Sequence, residues 1–362
     1  MNRSTIALTN INNETIQMKQ LSEPKHKKSS LKRYLIWLIL ILLFFVLFLL
    51  WEYYRPINYK QAHLKLYSDI YNPKNGYFSK LGIPYHSIEK FIIEAVDYGH
   101  DATSEGAGSI LMMNVFHAKL TGDWSQFYKT WSMIDQYFIP NSLQQQNAKY
   151  YLSQSPSKYV LSFNDLRQYP APFSNKIISG QDPIEKDLTK KYGSQLFLMH
   201  WLVDADNFFG FGKGKRPFFI KNFERGSDES TWETITHPCI DTFGAGKKGS
   251  CDLYIQDPKP QWRYTSAPDA ELRLIQSMYW AQLFSKQQHI SLNTYRHNTE
   301  KMGSFLRYSL FDKYFQKIGA GSHPGNGYDS AHYLVGWMVG WGGASEKVAS
   351  KLGLGAWATM RL

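Results

Sequence analysis

Leu35 to Trp51 reads LIWLILILLFFVLFLLW, an unbroken apolar run with no polar face. No other feature constrains the folding of this chain as strongly. The run must lie in a bilayer or inside a protein core, and its 17 residues are at the short end of the ~17–25 that span a hydrocarbon layer. Its flanks favour the bilayer. Residues 1–33 carry seven Lys/Arg, concentrated at Lys25–Arg33, against Glu14 and Glu23. Trp51, Tyr53 and Tyr54 follow the run as an aromatic belt. Basic residues before the span place the N-terminus in the cytoplasm. No small-residue cleavage site follows, so the expectation is an uncleaved signal anchor. The reading is a single-pass type II membrane protein. It has a basic, disordered tail over 1–33, a membrane helix over 34–54, and an extracellular or lumenal region from residue 55 onward.

That topology also accounts for much of the net charge of +11, because no nucleic-acid motif accompanies it. The sequons at Asn2 and Asn13 fall on the cytoplasmic side and are expected to stay unmodified. Outside the cytoplasm, Cys239 and Cys251 would either close a disulfide or remain two free thiols, and their spacing suggests no metal site.

Beyond the anchor the periodicity is mainly helical. Helices are expected over Tyr59–Tyr71, Ser87–Val96, Glu105–Lys119, Ser125–Phe138, Pro183–Tyr192, Asp269–Lys286, Thr299–Phe315 and Ser330–Trp341. Phe127, Trp131, Ile134 and Phe138 share one stripe, and Met302, Phe305, Leu306 and Phe315 are expected to face inward. Leu272, Ile275, Tyr279 and Leu283 form another stripe. Residues 141–180 read as loop, and residues 193–262 as short apolar runs between Gly-rich turns. The 11 Trp, 24 Tyr and 22 Phe fill a core, and such rings also make platforms for sugar stacking.

Phe91 to Gly108, FIIEAVDYGHDATSEGAG, concentrates Glu94, Asp97, Tyr98, His100, Asp101 and Glu105 just before the apolar run Ile110–Phe116. Thr103 and Ser104 supply a helix cap, which puts Glu105 in the first turn. The plainer reading of Glu105 is a carboxylate that offsets the helix dipole. A second stretch, Gln261–Arg273 (QWRYTSAPDAELR), places Asp269 after Ala-Pro at another helix start. Two carboxyls at helix mouths facing one cleft would make the acid–base pair of glycoside hydrolysis. One must hold a proton while the other stays ionised. The helix dipole favours an ionised Asp269, whereas Glu105 needs burial or a like-charged neighbour, for which Glu94 is a candidate.

From about Tyr59 to Gly343 the chain resembles glycoside hydrolase family 48, the processive cellulases that release cellobiose from reducing ends. The resemblance rests on ordered stretches: NPKNGYFS (72–79), GIPYHSIE (82–89), EAVDYGHDATSE (94–105), KLTGDWS (119–125) and MHWLVDADNFFGFG (199–212). It continues through ERGSDESTWET (224–234), QWRYTSAPDAELR (261–273), FDKYFQKIGA (311–320) and GYDSAHYL (327–334). It implies an (α/α)6 barrel, with Glu105 as proton donor and Asp269 as the base that activates water with inversion. It further implies sugar contacts at Glu94, Gln261, Thr265, Ser266, Lys313, Trp337 and Trp341, and a calcium ion held by Asp228 and Glu233 in the loop from Ser227 to Glu233.

This sequence departs from the family pattern in several places. Gly106-Ala107-Gly108-Ser109 stands where Ala and bulky aromatics are usual. Lys158 and Lys221 replace smaller polar residues, and Phe208-Phe209 replace a Trp-Tyr pair. The resemblance ends at Gly343, so the sequence divides into a partial catalytic domain over 55–343 and a divergent tail over 344–362. With fewer helices than two rings of six, the expectation is an open helical array with little action on crystalline cellulose. Three functional readings stay open: a β-1,4-glucan hydrolase, a non-catalytic glycan-binding remnant, and an active relative on another polymer such as chitin.

Overall fold

The computed structural model of the chain describes residues 28–86, 101–145, 153–154, 165–168, 180–207, 217–219, 221–223, 235–237, 261–312, 315, 317–318, 327–336, 339–344 and 357–359. The chain divides into two units, Met1–Tyr59 and Lys60–Leu362. In the first, helix α1 (Lys28–Tyr54) contains a 25-residue segment, Ser30–Tyr54, with mean hydropathy 3.0 and its apolar side chains exposed. It is long and apolar enough to cross a membrane.

The second unit is mainly helical. Its helices are α2 (Tyr59–Ile70), α3 (Ser104–Thr121), α4 (Ser125–Tyr137), α5 (Glu185–Tyr192), α6 (Pro268–Gln287) and α7 (Asn293–Leu306). Thr103, in extended conformation, caps α3 by accepting a hydrogen bond from the Gly106 N–H at 3.3 Å. Gly122 ends α3 in the left-handed region, with its N–H bonded to the Ala118 carbonyl. Pro268 occupies the first turn of α6, where its missing N–H costs nothing.

Two helical hairpins, α3–α4 and α6–α7, pack with their first helices side by side and parallel. Near the N-termini, Gly108 lies against Ala270 and Arg273. Near the C-termini, Lys119 donates to Gln287, and Trp124 Nε1 donates to Gln288 at 2.6 Å. Phe116 meets Trp280 and Phe284 between those ends. The outer helices touch through Tyr295 of α7, which sits among Phe127, Tyr128 and Trp131 of α4. Inside the α3–α4 hairpin, buried Asn114 accepts from the Tyr71 hydroxyl at 2.9 Å and donates to Thr130 at 2.8 Å.

Short antiparallel sheets join the helices. One has the order β1 (Asp101–Thr103), β2 (Leu202–Asp204), β3 (Phe218–Phe219), with Thr103 opposite Leu202. A second pairs β4 (Lys221–Phe223) with β5 (Ile235–His237). The third orders β6 (Gln261–Ser266), β7 (Val339–Ala344) and β8 (Trp357–Thr359).

Several expectations hold. Phe127, Trp131, Ile134 and Phe138 are buried, as are Met302, Phe305, Leu306 and Phe315. Two are corrected. The helix expected over Ser330–Trp341 is absent, because Gly327–Ser330 is a 3-10 turn and Val339–Ala344 is strand β7. Gly336, Gly340, Gly342 and Gly343 explain this, since each glycine costs a helix about 1 kcal/mol. Helix α7 begins at Asn293 and ends at Leu306, with Phe315 reached through a separate turn. On α6 three of the four stripe residues face out, with Leu272 42%, Tyr279 62% and Leu283 41% exposed, and Ile275 is partly buried against the core. The inward face is Ala270, Leu274, Ser277, Met278 and Ala281, small enough for α3 to come close. The helix expected over Ser87–Val96 and the pair Cys239 and Cys251 lie outside the described residues.

Candidate active site

The two helix mouths expected to carry chemistry are brought together by a third segment. Residues 199–204 run between β1 and β6. The Trp201 N–H donates to the Thr265 carbonyl at 2.6 Å, and the Trp201 carbonyl accepts from the Ser104 N–H at 3.0 Å. His200 Nδ1 accepts from the Thr265 N–H at 3.0 Å. The start of α3 and the end of β6 are therefore stitched to the same few backbone groups.

Glu105 is half-buried in the first turn of α3, with the Ser104 hydroxyl 3.4 Å from Oε2. Burial pushes its carboxyl above the ordinary range, and the negative charge of Asp269 pushes it further. Its own backbone N–H, Thr103 and His86 pull the other way. His86 is held there by its N–H bond to the Asp101 carbonyl at 2.8 Å.

Asp269 is exposed in the first turn of α6. Arg273, one turn on, reaches its Oδ2 at 3.7 Å and donates to Ser109 of α3 at 3.1 Å. One guanidinium thus spans both helices. Between them Gly108 lets the backbones approach: a Cβ there would stand 3.3 Å from the Ala270 carbonyl oxygen. Bulkier side chains at that position would separate the two mouths.

The sequence reading missed a third carboxyl, Glu271, fully buried two residues beyond Asp269. Its Oε1 accepts from the Met199 N–H at 2.6 Å and from the Ser266 hydroxyl at 3.0 Å. Its Oε2 is buried without a partner. Burial pushes this carboxyl up to about 8, and the charges of Glu105 and Asp269 add to that. In sequence it looks like an ordinary first-turn acid, and only the tertiary crossing of Met199 distinguishes it. His86 was likewise quoted only within a motif, with no signal of its nearness to Glu105.

Of the expected sugar contacts, Thr265 and Ser266 are fully buried behind the mouth, the Ser266 hydroxyl occupied by Glu271. Gln261 and Trp341 stand in the paired strands β6 and β7. Glu94, Lys313, Trp337, Asp228 and Glu233 lie outside the described residues, so neither the neighbour expected for Glu105 nor the calcium loop is seen. Among the described residues no cluster of three His, Cys, Asp or Glu side chains could hold a metal. A cleft of about 570 Å³ is lined by the turn around Tyr77–Gly82 and by Gln126, Lys129 and Met133 of α4, and includes none of the three carboxyls.

Comparison with known proteins identifies the family. The family model for glycosyl hydrolase family 48 matches residues 59–358, past the point where the motif resemblance ends. Endoglucanase F of Ruminiclostridium cellulolyticum is 44% identical over 309 residues, covering 82% of this chain and 43% of that protein. The cellulose 1,4-beta-cellobiosidase (reducing end) CelS of Acetivibrio thermocellus is 46% identical over 294 residues, covering 79% of this chain and 40% of that protein. Exoglucanase-2 of Thermoclostridium stercorarium is 43% identical over 296 residues, covering 79% of this chain and 32% of that protein. The chain thus spans about two fifths or less of the length of these relatives. On its motifs, its paired carboxyls and the match over 59–358, the chain belongs to glycosyl hydrolase family 48.

Proposed function

We propose that this chain hydrolyses β-1,4-glucan, releasing cellobiose from reducing ends with inversion. The observation that carries the reading is the unequal pair at the two parallel helix mouths. Glu105 is half-buried, and burial favours the protonated form a general acid needs. Asp269 is exposed to solvent in the first turn of α6, 3.7 Å from Arg273, where a general base can reach a water. Glu105 gives its proton to the glycosidic oxygen as the bond to the anomeric carbon breaks. Asp269 takes a proton from the water that attacks that carbon on the opposite face. Inversion needs room for this water, so the two carboxyl groups should stand ~6.5–9.5 Å apart. The names of the relatives support cellulose as the polymer.

The parallel packing of the first helices of two hairpins supports an (α/α)6 arrangement, in which such helices form the inner ring. Gln261, Thr265, Ser266, Glu94, Lys313, Trp337 and Trp341 are proposed to bind or support the sugar chain. Asp228 and Glu233 are the proposed oxygen ligands of a structural calcium ion, which takes no part in the reaction steps. The apolar Ser30–Tyr54 segment supports a type II anchor, with the hydrolase outside the cytoplasm. Protease added to intact cells or to vesicles sealed right side out should remove the large unit and spare the N-terminus.

The deciding experiment compares wild type, Glu105→Gln and Asp269→Asn on cello-oligosaccharides and chitin oligomers. Each variant should melt like the wild type and lose hydrolysis of the β-glucan. Turnover retained by either variant removes that residue from the mechanism. Preference for chitin oligomers replaces the polymer, and an inactive but glucan-binding wild type replaces catalysis with binding.

A further inference from the structure

Glu271 is a buried ionisable group that the acid–base scheme does not use. Among the described residues, no other carboxyl combines full burial, two hydrogen bonds and an unpartnered oxygen beside Glu105 and Asp269. Its placement is specific. Oε1 accepts from Met199, the residue that leads into the crossing segment, and from Ser266, the last residue of β6. That segment also bonds Ser104, next to Glu105, through the Trp201 carbonyl. One carboxyl oxygen therefore ties together the three pieces of chain that bring Glu105 and Asp269 to the same place.

The charge state follows from the surroundings. The ionisable groups acting on Glu271 are two further carboxyls, Glu105 on α3 and Asp269 on its own helix, and neither can supply a positive charge. From the crossing segment His200 presents an Nδ1 that accepts a hydrogen bond and so carries no proton there. Among the described residues no cation acts on Glu271. A buried carboxylate without a cation, and with one oxygen lacking any donor, is strongly disfavoured. A neutral acid suits the site: its carbonyl oxygen accepts both bonds, and its hydroxyl occupies the Oε2 position.

We propose that Glu271 is a positioning residue of the hydrolytic site, a neutral carboxylic acid that clamps the Met199–Trp201 segment and the end of β6 to the mouth of α6 and so fixes Asp269 relative to Glu105. This rests on the acid–base roles given to those two residues. Neutrality also matters to the chemistry. A third negative charge at Glu271 would tighten the hold of Glu105 on its proton and weaken it as a donor.

The test uses the full chain in detergent with Glu271→Gln and Glu271→Ala. Glutamine keeps the acceptor oxygen and cannot ionise, whereas alanine removes the clamp. Three readouts are taken: amide hydrogen exchange over residues 199–201, the protonated-carboxyl infrared band, and kcat and KM on a soluble cello-oligosaccharide from pH 5 to 9. Wild type and Glu271→Gln should protect the Met199–Trp201 amides equally, and Glu271→Ala should lose that protection. The wild-type protonated-carboxyl band should lose one component, that of Glu271, in Glu271→Gln. That variant should keep kcat within about threefold at pH 6 and hold it to higher pH than wild type. Glu271→Ala should lose about 10²-fold in kcat with KM nearly unchanged, the size expected from a misplaced catalytic group.

Equal exchange protection in all three proteins overturns the clamp. A Glu271→Gln variant as inactive as the alanine one, or with the wild-type pH profile, overturns the neutral acid. If Glu271→Ala does not fold, the infrared band and the Glu271→Gln profile decide. A wild type inactive on β-glucan refutes the functional reading, and exchange and infrared still judge the clamp and its proton.

Discussion

Gly108→Ala adds one methyl group where α3 and α6 come closest. Its Cβ would stand 3.3 Å from the Ala270 carbonyl oxygen, 3.3 Å from Arg273 Cβ and 3.7 Å from the Leu274 nitrogen. Two of these neighbours are backbone atoms of α6 and the third is a Cβ, so none can swing aside and the helices must part by a few tenths of an ångström. Overpacking of this kind costs about 1–3 kcal/mol. Against it stands the gain of about 1 kcal/mol for replacing glycine by alanine in a helix. Gly106→Ala isolates that gain, because its Cβ would meet only Thr103 Oγ1, at an ordinary 3.6 Å. The two substitutions are chemically identical and two residues apart. Gly108→Ala should therefore lie about 1–3 kcal/mol below Gly106→Ala, a gap of several degrees in Tm at ~2–4 °C per kcal/mol. The same parting moves Asp269 away from Glu105. If a displacement of about 1 Å costs ~10²-fold, a few tenths should cost several-fold in kcat. Thermal melting of the full chain and release of soluble sugar read both effects. A Gly108→Ala variant that melts as high as Gly106→Ala refutes the close-approach argument.

Asn114→Leu strands the buried Tyr71 and Thr130 hydroxyls; it should destabilise by about 2–4 kcal/mol and lower the urea midpoint. Arg273→Ala removes the guanidinium spanning Asp269 and Ser109; both charges are half exposed, so Tm should stay within about 1–2 °C, while kcat on cello-oligosaccharide should fall several-fold. Stability should also depend on Glu271 ionisation. Its folded pKa is raised from 4.5 to about 8, so its contribution is complete below 4.5 and is lost as pH rises through 8. The loss is on the order of a few kcal/mol; urea midpoints at pH 5 and pH 9 should differ more for wild type than for Glu271→Gln, and an equal difference would sink the assignment.

The helices around Glu105 and Asp269 were legible because their signals are local. Thr103, Gly122 and Pro268 mark ends that the backbone obeys without help from distant residues. The buried face of α6 was not legible from the size of its side chains. In this crossing Ala270, Ser277 and Ala281 face inward because they are small, and Tyr279 and Leu283 remain outside. Strand β7 was misread because its aromatic spacing outweighed the glycines that a helix penalises. The raised Glu105 and its main cause, burial, were anticipated, but Asp269 as the like-charged neighbour was not. Burial and Asp269 raise it, a pairing that exists only once two helices have packed. Glu271 was invisible for the same reason, since the partner that defines it, Met199, is 72 positions away.

The crossing segment also sets a timetable. Asp269 follows Glu105 by 164 residues, and the backbone that joins their helices lies between them. At ~5–20 residues per second of synthesis, Glu105 emerges roughly 8–30 s before Asp269. For that interval the small-residue face of α3, with Ala107, Gly108, Leu111 and Val115, has no α6 to cover it. Contacts of such long sequence separation form late and leave apolar surface open to wrong partners. That surface is covered only once residue 287 has been made and α6 can close over α3.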